Sequence, residues 1–408
     1  MKKIEFKLRT MATLFLFAGL LVGFSSCEKD DDDDNNDTQN TGNIIVNSNI
    51  TENTTWTSDN VYQLGGRISV EDGATLTIEP GTIIKGEAGT GANATALLIA
   101  RGGKLMAEGT PGAPIIFTSV ADEITPDDLA DGNFGSPNLD PDINGLWGGV
   151  LILGKAPISA SDAGGDVNEI QIEGIPTSDP NGLYGGNTPD DNSGIIKYVS
   201  IRHGGTNIGQ GNEINGLSLG GVGTGTTIEN IEIVANQDDG IEWFGGTVNV
   251  TNVLVWNNGD DALDTDQSWA GTVDNFILIA PAGHGFELDG PEGSMQAGHT
   301  IKNGTVVASD DNYSRALKDL INFDDNSIVD LENIWFTDVE SGQQINDVSG
   351  SPDVTFTNIM LDVPADSLSN HYAGSTVPAQ ITAGGSSMAD ASVFNWTWAF
   401  QAGELSGL

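Results

Sequence analysis

A short segment recurs along this chain at an interval near 22 residues, and that interval restricts the fold more than any other feature. Ile228-Glu229-Asn230-Ile231-Glu232-Ile233 returns as Val250-Thr251-Asn252-Val253-Leu254-Val255 and again as Val273-Asp274-Asn275-Phe276-Ile277-Leu278. Behind each copy lies a second run: Gly240-Ile241-Glu242-Trp243, Ala262-Leu263-Asp264-Thr265 and Gly285-Phe286-Glu287-Leu288. Each period therefore holds at least two short strands with turns between them. Looser copies follow at Asn303, Asn333 and Asn358, and earlier rungs precede at 69–81, 97–103, 198–201 and 216–219. A unit this small cannot bury its apolar side alone, so successive units must stack. Leucine-rich repeats share the period but need a Leu ladder and a helical return, and neither occurs. The expected fold is all-β: a right-handed parallel β-helix over residues 46–362, one coil per repeat. The 54 glycines among 408 residues fit a chain of many tight turns.

Stacked coils lie about 4.8 Å apart, so equivalent residues form columns. The Asn column at 230, 252, 275, 303, 333 and 358 reads as a turn ladder of mutually bonded amides. In the second strand the inward column is Leu217, Ile241, Leu263, Phe286 and Leu317, and the outward one is Ser218, Glu242, Asp264, Glu287 and Lys318. Residues i and i+2 of a strand share a face, which adds Asp266 and Asp289 to that outer side. Glu242, Asp264, Asp266, Glu287 and Asp289 then form one carboxylate patch. Like charges this close raise a pKa or recruit a cation. Oxygen-only ligands favour a hard ion, so Ca²⁺ is the expected cofactor, with a hydrated acidic face as the alternative.

The turn ahead of that strand carries Asn236-Gln237-Asp238-Asp239, Gly259-Asp260-Asp261, Gly283-His284-Gly285 and Arg315-Ala316-Leu317-Lys318 on successive coils. This order resembles the motif order of polygalacturonases: Asn-Thr-Asp, Asp-Asp, Gly-His-Gly, Arg-x-Lys. Gln237 stands where that pattern has Thr, and two residues separate Arg315 from Lys318. The resemblance implies Asp260 or Asp261 as general acid, other carboxylates including Asp239 around the attacking water, His284 beside them, and Arg315 and Lys318 on a uronate. A Ca²⁺-assisted polysaccharide lyase with Arg315 or Lys318 as base is the other enzymatic reading. Gly149-Val150-Leu151-Ile152-Leu153-Gly154-Lys155 mimics a phosphate loop but lacks the following Ser or Thr, and the four His residues show no zinc spacing.

The N-terminus supplies an address. Lys2, Lys3, Lys7 and Arg9 precede an apolar run from Met11 to Phe24, too short to span a bilayer. The run ends in Gly23-Phe24-Ser25-Ser26-Cys27, which resembles a bacterial lipobox and implies a signal peptide over 1–26 and lipidation of Cys27, the one cysteine. Residues 27–45, with Asp30 to Asp34, form an acidic tether that cannot collapse. Acidic residues directly after the lipidated Cys resemble the export signal of surface lipoproteins of Bacteroidota, implying the outer membrane and its outer face. The formal net charge of -43 opposes nucleic-acid partners and anionic membrane surfaces, leaving the lipid as the only expected membrane contact.

The phrases Leu146-Trp147-Gly148-Gly149, Gly182-Leu183-Tyr184-Gly185-Gly186-Asn187 and Gly240-Ile241-Glu242-Trp243-Phe244-Gly245-Gly246 resemble the pectate-lyase-like β-helix superfold, and within it a group of Bacteroidota surface lipoproteins. That resemblance implies a fold and an address, without an activity. Insertions at 121–145 and 156–194 are loops that line a binding face or decorate the solenoid. Residues 363–408, with Val393, Phe394, Trp396, Trp398 and Phe400, read as a C-terminal cap over the last coil. Extracellular polysaccharide is the expected partner, stacking on Trp256 or Trp269 if these are exposed. A glycan-cleaving enzyme and a purely structural or adhesive surface protein are the alternatives.

Overall fold

A computed structural model describes residues 42–408 apart from 207–213, 325, 347 and 349–352. The chain divides into residues 1–40 and 41–408. Cys27 and the tether as far as residue 41 lie outside the described residues. No helix among the described residues is long and apolar enough to cross a membrane.

The 41–408 unit is a stack of coils, mostly β, in which each coil contributes to three parallel faces. In the first coils two of these faces are separate strands, such as Lys104–Glu108 and Ile115–Ser119. From Gly194–Arg202 onward one long strand serves both: residues 194–197 pair with 105–108, and 199–201 with 115–117. The six residues 109–114 are thus replaced by Tyr198 alone, with φ 50°. A single left-handed residue turns the chain through the corner that earlier took a loop.

Asparagine tolerates that conformation because its short amide can bond locally. Accordingly Asn230, Asn252, Asn275, Asn303, Asn333 and Asn358 all have φ between 52° and 62°. The expected amide ladder is present. Asn252 donates to Asn230 at 3.0 Å, Asn275 to Asn252 at 2.7 Å, Asn333 to Asn303 at 3.0 Å and Asn358 to Asn333 at 2.9 Å. One rung differs: Asn275 Oδ1 accepts the Asp390 N–H at 2.7 Å, and Asn303 turns to Asp274 instead.

The third face is a separate nine-stranded sheet that includes Ala96–Ile99, Val150–Leu153, Leu217–Gly220, Ile241–Phe244, Leu263–Asp266, His284–Leu288 and Asp319–Phe323. Its inward column runs Leu217, Ile241, Leu263, Phe286 and Ile321. The Asp319–Phe323 strand corrects the sequence reading, since Ile321 and Asn322 stand where Leu317 and Lys318 were expected. The hairpin pairing Ser309–Asp310 with Arg315–Ala316 lengthens the preceding turn and moves the strand four residues along. Trp243 and Trp269 stack at 4.7 Å inside the coil, and Trp256 is wholly buried, so neither Trp256 nor Trp269 offers a sugar platform.

The insertions and the C-terminus pack on the outside of the coils. Residues 156–194 lay Ile158, Ile172, Ile175 and Tyr184 over Leu98, Leu151, Leu153 and Phe244 of the third face. Arg67–Asp179 and Arg101–Glu169 ion pairs, each 3.0 Å, tie this insertion to earlier coils. In residues 121–145, a helix over Pro126–Ala130 brings Leu129 and Phe134 onto Ile83 and Ile116. The first part of the C-terminal segment covers the last coil as expected: Ile381–Ala383 pairs with Asp353–Leu361, and Leu368, Tyr372 and Val377 pack on the end of the core, but the aromatic part does not. Its aromatics instead run back along the second face: Phe394 and Trp398 pack with Val234, Leu254, Trp256 and Ile277. Ala399 donates its N–H to Glu232 at 3.0 Å, and Trp398 covers Arg202, whose guanidinium is paired with Glu232 at 3.4 Å in a fully buried setting. An apolar run signals burial, but it does not say against which surface.

Candidate functional site on the third face

On its outer side the third face carries a column of register partners: Leu98, Leu151, Ser218, Glu242, Asp264, Glu287 and Asn322. Two residues along, Leu153, Gly220, Phe244 and Asp266 form the next column. Asp289 and Asp324 extend it, their N–H groups bonding to Thr265 at 2.7 Å and Leu288 at 3.0 Å. The five carboxylates read from the sequence thus occupy two adjacent columns of one face.

The corner leading into this face is built from Asp239, Asp261, His284 and Asp319. Each carboxylate clasps the coil after it. Asp239 accepts the Asp261 N–H at 2.8 Å, Asp261 accepts the N–H of His284, and Asp319 accepts that of Gln344 at 2.8 Å. These side chains compensate backbone donors at a turn, where burial without a partner is costly.

Corner and column meet in compact groups. Asp239, Glu242 and Asp264 each place a carboxylate oxygen within 4.8 Å of the others, as do Asp238, Asp239 and Asp260, and Asp261, His284 and Glu287 place their ligand atoms equally close. Asn215 donates to Glu242, while Asp264 Oδ1 is buried without a hydrogen-bond partner. Asp266, Asp289, Gly290, Pro291, Glu292 and Asp324 line a depression of about 290 Å³. Beyond the 290–295 loop a second depression of about 280 Å³ lies against the 156–168 part of the insertion. The loop between them is pinned by the Gly293 N–H on Ser159 at 3.1 Å and by the Gln267 amide on Glu292 at 2.9 Å.

The electrostatics follow from this crowding. Burial, then the charges of Asp238 and Asp261, push Asp239 well above the usual carboxylate range. Burial, then Glu173 and Asp239, do the same for Glu242, and burial with Glu242 and Asp239 for Asp264. Asp266 rises to about 8, chiefly through burial and then Glu292. Glu287 rises to about 9 through burial and its contact with Asp261. Asp261 moves the other way: burial pushes it up, but the side chains of His284 and Glu287 and the His284 N–H outweigh that and hold it below the ordinary value.

The remaining residues of the hydrolase-like order diverge. Asp261 and His284 stand together, Nδ1 to Oδ1 2.9 Å, both buried. Asp260 is exposed, as is Lys318. Arg315 directs its guanidinium to the backbone carbonyls of Asn258 at 2.9 Å and Asp142 at 3.4 Å, away from the carboxylates. Asn215, Asn322, Glu292 and Asp324 are members of the face that motif reading missed. Asn322 lies 35 residues after Glu287, so a regular 22- to 23-residue step reaches neither Asn322 nor Asp324: the 290–295 loop and the 309–316 hairpin both lengthen that coil.

Residues 48–132 and 136–399 match the pectate-lyase-like β-helix domain, so the chain belongs to that family. No curated protein and no solved structure matched the chain.

Proposed function

We propose, taking membership of the pectate-lyase-like β-helix family as the premise, that this chain is a lipid-anchored surface protein whose acidic third face binds extracellular polysaccharide through Ca²⁺. The observation that carries the reading is the Asp239, Glu242 and Asp264 group, three carboxylates within 4.8 Å of one another with Asp264 Oδ1 buried and unpartnered. Such a group must either hold protons or accept a hard cation. Ca²⁺ takes six to eight oxygens, so a site supplied with only a few by protein leaves positions for the hydroxyls or carboxylate of a sugar. The ion also offsets, locally, the repulsion that a net charge of -43 imposes on an acidic glycan. The two depressions beside the 290–295 loop give such a chain a bed of polar side chains and backbone.

Anchoring is part of the same proposal: lipidation at Cys27 and the acidic tether would hold the solenoid off the outer membrane. The decisive measurement is binding to a panel of neutral and acidic polysaccharides in Ca²⁺ and in chelator, for the wild type and Asp264→Asn. Binding that needs Ca²⁺ and is lost in the variant supports the reading. Binding indifferent to both refutes it.

One observation favours a second, catalytic reading. Asp261 and Glu287 are in contact and their pKa values are driven apart, the environment in which one carboxylic acid donates a proton while its neighbour stays ionised. Glu287 would then be the acid, and Asp261, one of the two general-acid candidates of the hydrolase-like reading beside Asp260, the ionised partner. Reducing-end release abolished by Glu287→Gln and by Asp261→Asn supports catalysis, and no release leaves binding alone.

A further inference from the structure

One coil beyond the oxygen-only group, the corner offers different ligand chemistry. Asp261, His284 and Glu287 each bring one ligand atom within 4.8 Å of the other two. His284 is 5% exposed, and its Nδ1 faces Asp261 Oδ1 at 2.9 Å. The two atoms are in ion-pair contact, but the buried Nδ1 has no partner of good hydrogen-bond geometry. A buried imidazole nitrogen and a carboxylate oxygen this close, in contact but off the hydrogen-bond line, are placed as two ligands of one ion would be. Two ligands bound about 2.1 Å from one metal at tetrahedral or octahedral angles lie about 3.0–3.4 Å apart, close to the separation found here.

We propose that Asp261, His284 and Glu287 form a three-ligand site for a first-row transition-metal dication, separate from the Asp239, Glu242 and Asp264 group. One imidazole nitrogen with two carboxylate oxygens suits Zn²⁺, Mn²⁺ or Co²⁺, whereas Ca²⁺ favours oxygen alone. The support around the ligands fits this use. The Asn322 amide donates to Glu287 Oε1 at 3.1 Å, and the backbone N–H of His284 holds the Asp261 carboxylate. Such outer partners orient ligands and typically change affinity about 10- to 100-fold. Asp261 and His284 are buried while Glu287 is half-buried, so the group reaches solvent on the Glu287 side, where a further position could take water or a ligand. This inference stands whether or not the face binds glycan.

The test uses the full chain, stripped with chelator and titrated with Co²⁺ by visible absorption and with Zn²⁺ by calorimetry. One equivalent of Co²⁺ is expected, with binding lost in His284→Gln and in Glu287→Gln and weakened about tenfold in Asn322→Ala. Melting curves with Ca²⁺ identify variants that still fold; Glu287→Gln, at a half-buried position, is the variant expected to keep the native melt. Asp264→Asn should keep the Co²⁺ signal while losing any response to Ca²⁺, which separates this site from the proposed Ca²⁺ group. Absence of Co²⁺ and Zn²⁺ binding to the wild type overturns the inference. Binding unchanged in folded Glu287→Gln overturns it equally.

Discussion

The outer side of the third face has two halves that share one register and carry opposite chemistry. In the early coils it is apolar, with Leu98, Leu151 and Leu153 sealed beneath the 156–194 insertion. In the later coils the same columns hold Glu242, Asp264, Asp266, Glu287 and Asp289. Inside the coil both halves are alike, a stack of Leu, Ile, Trp and Phe. The lesson is that a solenoid's period is enforced from within, by columns that must be apolar to be buried. Its outer columns are free to become either a docking surface for the chain's own loops or a site for something else.

Among single substitutions, truncating the covered half should produce the largest effect. Leu153→Ala removes a fully buried side chain from under the insertion and is expected to cost about 2–5 kcal/mol in denaturant unfolding. The register-equivalent change in the acidic half, Asp266→Leu, should be neutral or stabilising, because it removes a crowded carboxylate. Equal losses at both positions would dissolve the distinction between the halves.

In the opposite half the expected effect is a dependence on pH. The folded state raises Asp266 to about 8 and Glu287 to about 9, above their unfolded values near 4. Between those limits the native state holds more protons than the unfolded one, so stability is greatest at acidic pH and falls as pH rises toward 8 or 9. Melting temperatures in chelator should therefore drop from pH 5 to pH 8.5, and Ca²⁺ should restore more at pH 8.5 than at pH 5. A melt independent of pH and Ca²⁺ would mean the acidic half is as relaxed as the covered one.

The smallest expected change lies at the boundary. Arg67→Ala breaks a partly exposed ion pair to Asp179, worth no more than about 1 kcal/mol to global stability. It should show mainly as faster amide exchange within 170–184, with the acidic half unchanged. Exchange that rises across both halves would show that the insertion braces the whole face.

How much of this was legible beforehand differs between the halves. The acidic columns followed from strand alternation and a regular 22- to 23-residue step between Glu242, Asp264 and Glu287. The Asn ladder followed for the same reason. Counting failed where a hairpin lengthened one turn, shifting Leu317 and Lys318 out of the strand. The covered half carries its own signal: Ala96-Leu97-Leu98-Ile99 and Val150-Leu151-Ile152-Leu153 are apolar at every position, the mark of a strand buried on both sides. The buried Arg202–Glu232 pair, 30 positions apart, and the path of the aromatic C-terminus, whose Ala399 bonds to Glu232 167 positions away, had no local signal.

That returning C-terminus changes how the coils depend on one another. A bare solenoid couples only neighbours, so its repeats can detach from an end in sequence. Here one segment is fastened to Thr305, to Asn275, and to Glu232 beneath Trp398, a splint laid across several coils at once. Pulling apart the two ends of the described solenoid would therefore load these fastenings together, and the later coils should yield as a block, with the splint setting the force at which they do.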